Sequence, residues 1–389
     1  MNDPDRGARA RPGSGEAWRE ALPDAILAGG AVPWLDPVAL DHLGDPDGER
    51  VDLLTGRPVL VPRLATGHLR LTGADRVAFL HGLLSQDVAG LGEGEASDAL
   101  LLDHRGQPQA GLTVHRRSED LFLSVEDGAG PALRGVLEAH VVFDEVEVHD
   151  LDERLVSLTL AAGDGGALAA SAGAAWPGAD QVLSAVLEAP ALGRVALGAA
   201  TEHGRVLLRP WRAGDRWMAD VHLLAEDLMH AWVRWAEAGV RPVGERAWTA
   251  GRVAWGIPSA LGEGRLGLPQ ETGLARRVST RKGCYLGQEI MARVEARGRL
   301  RRGLRQLRLQ GPPPALGLAR GWRIQDRGDR DVGVLGSAAP APDGDGWWAL
   351  AVVRHDAAPS DGWRATAEGE APRAGPAAVE VSLLPAADA

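Results

Sequence analysis

The chain has 389 residues and a formal net charge of -11, from 42 Lys and Arg against 53 Asp and Glu. That length predicts two or three domains with ample material for a core. The acidic balance argues against binding of nucleic acid, or of an anionic membrane surface, through overall charge.

Residues 1–50 are rich in Pro, Gly, Asp and Arg, with short apolar patches at Trp18, Ala25 to Leu27 and Val32 to Leu35. They read as an N-terminal extension, partly disordered. Strands are expected at Val59 to Val61 and Leu69 to Leu71. A helix follows, capped by Thr72 with Asp75 at capping-box spacing, and Val77, Leu80, Leu83 and Leu84 share one face of it. Strands at Ala99 to Leu102 and Leu112 to His115 flank the turn His104 to Gln107, and a third lies at Leu121 to Val125. A helix over Pro131 to His140 and strands at Val146 to Val148 and Leu155 to Leu160 complete an order that suits an α+β sandwich.

The Gly/Ala-rich stretch Gly163 to Pro177 reads as a small-residue helix. Strands are expected at Val182 to Leu187, Val195 to Leu197 and Val206 to Leu208. Leu224, Leu228, Trp232 and Trp235 form the stripe of an amphipathic helix, with Gly239 as its left-handed end. After the break at Gly311 to Pro314, short strands at Trp322 to Ile324, Val332 to Leu335, Trp347 to Val353 and Val379 to Leu383 predict a small β-barrel or sandwich. The last boundary falls near residue 302. No apolar run is long enough to span a bilayer. Met1 to Arg6 lack the pattern of a secretory signal, and one cysteine makes no intrachain disulfide, so a cytoplasmic location is expected.

The chemistry is concentrated in one place. The only lysine, cysteine and tyrosine fall within Lys282-Gly283-Cys284-Tyr285, followed by Leu286-Gly287-Gln288-Glu289. No Walker loop, dinucleotide fingerprint, H-E-x-x-H or nucleophile elbow occurs. The histidines are scattered, so no metal site is expected. A lone thiol cannot hold an iron–sulfur cluster unaided. Free cysteines are commonly buried and inert. Here polar and glycine neighbours argue for a reactive or ligand thiol, with Lys282 and Arg281 favouring its thiolate. Gly287 and Gln288 are placed to begin a helix running through Val294. Arg293, Arg297, Arg299, Arg301, Arg302, Arg305 and Arg308 make a local basic zone suited to a ligand with carboxylates. Several of them read equally as a solvated face.

Lys282 to Glu289 resembles the signature K-G-C-F/Y-x-G-Q-E of the YgfZ family, folate-binding relatives of the glycine-cleavage T-protein. Pro269-Gln270-Glu271, Ala292-Arg293, Arg297-Gly298, Gly251 to Pro258, Leu71 to Val88 and Val332 to Ser337 resemble further family segments, with Gly336 where Thr is usual. The likeness runs from about residue 57 to 384. It implies a three-lobed α+β fold: two α+β lobes over 51–302 and a C-terminal β-barrel over 303–389 around a central folate pocket. It also implies a role in assembling or maintaining iron–sulfur clusters, in support of iron–sulfur enzymes that include a tRNA-modifying one. By position, Cys284 matches the family's functional thiol and Glu271 matches the T-protein glutamate on the pterin edge. Lys282 is expected to assist the thiol. Gln288, Arg293 and Arg297 are expected near tetrahydrofolate, the arginines by its glutamate tail.

One departure bears on activity. Where the T-protein carries an acidic pair with its key aspartate, an ungapped alignment puts Ala110 and Gly111 here. Neither can move a proton or stabilise a cation. Ordinary turnover as an aminomethyltransferase is therefore disfavoured, and folate and iron–sulfur proteins are the expected partners. An RNA-binding role for the arginine stretch is weaker still, because no aromatic platform is interleaved there.

Overall fold

A computed structural model describes residues 42–187, 195–196, 206–310, 321–357, 362–366 and 379–383. The apolar patches before residue 42, Leu197 and the Pro312 to Pro314 run lie outside the described residues. Residues 46–50, read above as extension, are the start of a helix.

In chain order the elements are α1 (Pro46–Thr55), β1 (Val59–Pro62), β2 (Gly67–Thr72), α2 (Arg76–Leu83), β3 (Glu95–Leu102), β4 (Pro108–Arg116), β5 (Leu121–Val125), α3 (Gly130–His140), β6 (Glu147–Asp150) and β7 (Leu155–Ala162). Next come α4 (Gly165–Ala175), α5 (Ala179–Leu187), β8 (Val195–Ala196), β9 (Val206–Ala213), β10 (Arg216–Leu224), α6 (Leu228–Glu237), β11 (Arg241–Pro242), α7 (Glu245–Ala254) and α8 (Gln288–Arg297). The last are β12 (Arg302–Gln310), β13 (Arg323–Gln325), β14 (Asp331–Pro340), β15 (Trp347–Arg354), β16 (Trp363–Thr366) and β17 (Val379–Leu383).

The first lobe is a six-stranded sheet in the order β6-β2-β5-β4-β3-β8, and the second a five-stranded sheet in the order β11-β1-β7-β10-β9. The chain enters the second sheet through β1, builds the first lobe, then returns as β7, antiparallel to β1. Strands β12-β15-β14-β13-β16-β17 close a barrel.

Alternation along the strands decides where the site can be. On β7, Val156, Leu158 and Leu160 enter the core under α4, α5 and α6, and on β10 Ala219, Val221 and Leu223 do the same. The residues between them, Ser157, Thr159, Asp220 and His222, face the other way. In the first lobe Ala110, Leu112, Val114, Leu121, Leu123 and Val125 pack under α2 and α3. Gly111, Thr113, Phe122 and Ser124 occupy the opposite face. The two sheets therefore turn polar faces toward each other, and those groups need partners because burial penalises unpaired polar atoms.

The helices follow their local chemistry. Asp164 caps α4 by accepting from the amide of Ala167 at 2.7 Å. The small side chains of Ala169, Ala172 and Ala175 then let α4 lie close to the sheet. Leu228, Ala231, Trp232 and Trp235 make the buried stripe of α6. The barrel docks on α7 through Ala250, Val253, Ala339 and Leu350.

Several expectations are corrected. Val182 to Leu187 is helical within α5, since Ala179 and Leu183, four apart, enter the core together. A short apolar run does not by itself separate strand from buried helix. Thr72 ends β2 and pairs with Nε2 of His149 at 2.9 Å, while Asp75 accepts from the amide of Glu145, so no capping box forms. Leu224 closes β10 rather than opening α6. Among the described residues no helix is long and apolar enough to cross a membrane.

Candidate ligand cavity and signature loop

The signature segment wraps over the end of α2 and leads into α8. Gly287 sits at φ +82, and a Cβ there would fall 2.6 Å from the carbonyl oxygen of Asp103. Only glycine allows both that backbone and that approach. Tyr285 and Met291 pack into a buried cluster with Leu100, Leu102, Leu274 and Val278.

Lys282 turns inward. Its Nζ donates to the carbonyls of His81, Leu84 and Gln86, the last two at 2.6 and 3.4 Å, where α2 ends and its carbonyls lack helical donors. It also lies 4.9 Å from the Tyr285 ring centroid, a cation–π contact. Burial pulls its ammonium down to about 8. Burial, and then Glu295, push the Tyr285 phenol up to about 12. Cys284, between these two anchors, is exposed. The ammonium of Lys282 is committed to backbone carbonyls, so its role here is to fasten the loop that presents the thiol.

The residues assigned to folate from the sequence are dispersed. Glu271 is buried and accepts from Nη2 of Arg302 at 2.8 Å and from the amide of Leu268 at 3.3 Å, tying its loop to the first barrel strand. Gln288 is half-buried at the start of α8, its amide donating to the carbonyl of Tyr285 at 3.2 Å. Arg293 is exposed and pairs with Glu289. Arg297 is the last residue of α8. Of these, Glu271, Gln288 and Arg293 do not line the cavity that the fold encloses, and neither do Lys282 and Cys284.

That cavity, of about 640 Å³, lies between the two polar sheet faces and is closed by α7, the 256–277 loops and β14. Its volume is that of a cofactor-sized site. Arg209 reaches Asp98 at 2.7 Å and Asp220 at 3.4 Å, one carboxylate from each lobe. Arg277 reaches Glu126 at 2.6 Å, and Arg63 reaches Glu245 at 3.2 Å while lying 4.8 Å over the Trp248 ring. Burial pushes Asp98 upward, but Arg209 and Arg277 outweigh it and hold the carboxyl at about 2. For Glu126, Asp220 and Glu245 burial prevails over the neighbouring arginines, and their affinity for a proton is raised. Such carboxyls can accept from, or donate to, a polar heterocycle. Arg265 and Arg276, exposed on the wall, make no ion pair among the described residues.

Ala110 is buried in the first-lobe core, and Gly111 borders the cavity. A Cβ on Gly111 would meet Ala260 Cβ at 2.5 Å and Oε2 of Glu126 at 2.7 Å. No larger residue fits at 111, yet a carboxyl does stand beside it, contributed by β5's end through Glu126. The sequence reading missed this residue, together with Asp98, Arg209, Asp220, Glu245 and Arg277. A usable signal was present: Asp220 and His222 alternate with Ala219, Val221 and Leu223, which is a strand with one polar and one apolar face. The Gly251 to Pro258 segment supplies Arg252, Gly256 and Pro258 to the wall. Among the described residues no group of three or more His, Cys, Asp or Glu is arranged to hold a metal ion.

No protein-family model matches the chain. Over 334 residues it is 24% identical to the Arabidopsis thaliana protein named "Putative transferase At1g60990, chloroplastic", a match spanning 81% of this chain and 69% of that one. In three dimensions it is similar to the crystal structure of glycine cleavage system aminomethyltransferase T from Bartonella henselae, with a TM-score of 0.73 and 17% sequence identity over 92% of this chain and 94% of that one. The protein has the aminomethyltransferase T fold, built from two α+β lobes and a closed barrel around one central cavity.

Proposed function

We propose that the protein is a YgfZ-type factor that binds tetrahydrofolate in the interlobe cavity and supports iron–sulfur proteins through Cys284. The observation that carries the folate reading is the cavity itself. It has room for a pterin and its extension, carboxyls with raised proton affinity for an amino-pyrimidine edge, and the Trp211 and Trp248 side chains in its wall. Arg265 and Arg276, which make no ion pair among the described residues, are cations for the carboxylate tail, in place of Arg293 and Arg297. The iron–sulfur role rests on the signature and on an exposed thiol held on an anchored loop, where a partner protein can reach it. Folate and thiol then act at separate places on one chain.

The test is calorimetric titration of the full chain with tetrahydrofolate. Glu126→Ala is expected to weaken binding about tenfold, equivalent to about 1.4 kcal/mol. Cys284→Ala is expected to bind normally and yet fail to restore an iron–sulfur enzyme in cells lacking the protein. Absence of binding in the unaltered chain removes the folate reading, and full rescue by Cys284→Ala removes the thiol.

A second reading, tetrahydrofolate-dependent aminomethyl transfer, gains one point from the structure: Glu126 stands beside Gly111. Its engagement with Arg277 argues against free use as a catalytic acid or base. Release of ammonia from an aminomethylated lipoyl carrier is the deciding assay, and none is expected.

A further inference from the structure

Four side chains between the facing sheets form one continuous hydrogen-bonded line. Oδ1 of Asp152 lies 3.2 Å from Nδ1 of His68 and also accepts from the His68 amide at 2.5 Å. Nε2 of His68 lies 2.7 Å from Oγ of Ser157. That Oγ lies 2.7 Å from Nδ1 of His222. His68, Ser157 and His222 are buried, at 2%, 3% and 4% exposure, and the Asp152 side chain is 13% exposed.

For a neutral His68 ring the proton positions follow by elimination. A carboxylate only accepts, so Nδ1 of His68 carries a hydrogen. Nε2 of that ring then offers a lone pair and takes the Ser157 hydroxyl hydrogen. The hydroxyl has no second hydrogen, so His222 must donate to it from Nδ1. Burial first, with Arg209 adding to it, holds the affinity of His222 for a second proton well below that of a free imidazole. Its Nε2 is therefore a bare acceptor. That atom has no partner among the described residues, and both Ser157 and His222 line the cavity. The rings of His115 and Phe122, 5.5 and 5.3 Å from the His222 ring, close its other sides. A buried acceptor without a donor calls for one from elsewhere.

Asp152, His68 and Ser157 also stand in the order of a nucleophilic triad. The Ser157 hydroxyl, however, already gives its hydrogen to His68 and a lone pair to His222, which makes it a link rather than an end.

We propose that Nε2 of His222 accepts an N–H or O–H of the bound ligand and that the line His222–Ser157–His68–Asp152 carries that proton out of the cavity. The ligand's proton passes to Nε2 of His222, and the hydrogen on Nδ1 passes to Oγ of Ser157. The Ser157 hydrogen passes to Nε2 of His68. The ligand keeps its electron pair, and the positive charge comes to rest on the His68 ring beside the Asp152 carboxylate. Only bonds to hydrogen change, and no oxidant or reductant is required. The identity of the ligand rests on the folate reading, in which the donor is a ring N–H of a reduced pterin.

The test uses the full chain labelled with ¹⁵N-histidine, with His68→Gln and His222→Gln to assign signals. Without ligand, both His68 and His222 should show the Nδ1–H tautomer, which is the less common one for free imidazole. Tetrahydrofolate should move the Nε2 signal of His222 and, through Ser157, that of His68. Ser157→Ala should abolish the response at His68, and Ser157→Thr, which keeps a hydroxyl, should restore it. If Ser157→Ala does not fold, the Thr variant and the tautomers still decide. An Nε2–H tautomer at His222, or a His222 signal unmoved by folate that calorimetry shows to be bound, overturns the proposal. If tetrahydrofolate does not bind at all, the folate reading falls, while the ligand-free tautomers independently uphold or overturn the relay.

Discussion

The signature loop and the cavity wall use charge in opposite ways. The loop gathers its rare side chains within four consecutive residues, and two of them, Lys282 and Tyr285, face inward to fasten it. The cavity assembles its charges from both lobes, with Arg209 joining Asp98 to Asp220 across the gap. Compact clustering in the chain therefore marks an anchored display of one thiol, and the charged lining of the cavity comes from residues that meet only in the folded state.

The largest expected effect comes from breaking the cavity's cross-lobe pairing. Arg209→Met leaves Asp98 and Asp220 without their shared cation, and denaturant unfolding should show a loss of about 3–5 kcal/mol, the usual cost of stranding a buried charge. A loss below about 1 kcal/mol, the worth of a surface pair, would mean that the cavity charges are solvated and the contrast with the loop is false.

Lys282→Met removes three donations to the end of α2. About 1–3 kcal/mol of stability should go, in line with unsatisfied buried acceptors. Hydrogen exchange should quicken around 279–290 and in α2 while the cavity stays protected. If the cavity loosens equally, loop and cavity are one unit. Gly111→Ala presses a methyl group against Ala260 and Glu126 and should cost about 1–3 kcal/mol by overpacking, with weaker ligand binding.

The smallest effect is a pH slope. Asp98 titrates at about 2 against an ordinary 3.8. A carboxyl depressed on folding contributes stability that is complete above 3.8 and is lost as pH falls through about 2. The stability difference between the unaltered chain and Asp98→Asn should therefore shrink across that window and be flat above it. A difference that grows on acidification would reverse the assignment of Arg209 as its partner.

Much of the scaffold was legible because it depends on local pattern. Four barrel strands announced themselves by short β-prone runs between Gly, Pro and Asp clusters, although β12 and β16 passed unread. The start of α8 followed from Gly287, and the exposure of Cys284 from its polar neighbours. What stayed hidden depends on distance along the chain. The acceptors of Lys282 lie about 200 residues upstream, so sequence adjacency wrongly suggested Cys284 as the object of its charge. Glu271 looked like a ligand contact through its match to the T-protein glutamate, and nothing local shows that Arg302 already holds it. Asp98, Glu126 and Arg277 are ordinary charged residues until β3, the end of β5 and the 256–277 loops bring them together.

The entry of the chain through β1 before the first lobe is built has a consequence for biosynthesis. Val59 to Pro62 must wait for their β7 partners, Leu158 to Ala161, and then for Arg241 and Pro242. The intervening lobe contains its own complete sheet apart from the short β8 edge, and can collapse on the ribosome first. The exit of residue 242 then sets the earliest moment at which the outer sheet can close, so a stall in translation before it strands an unpaired strand beside a finished neighbour.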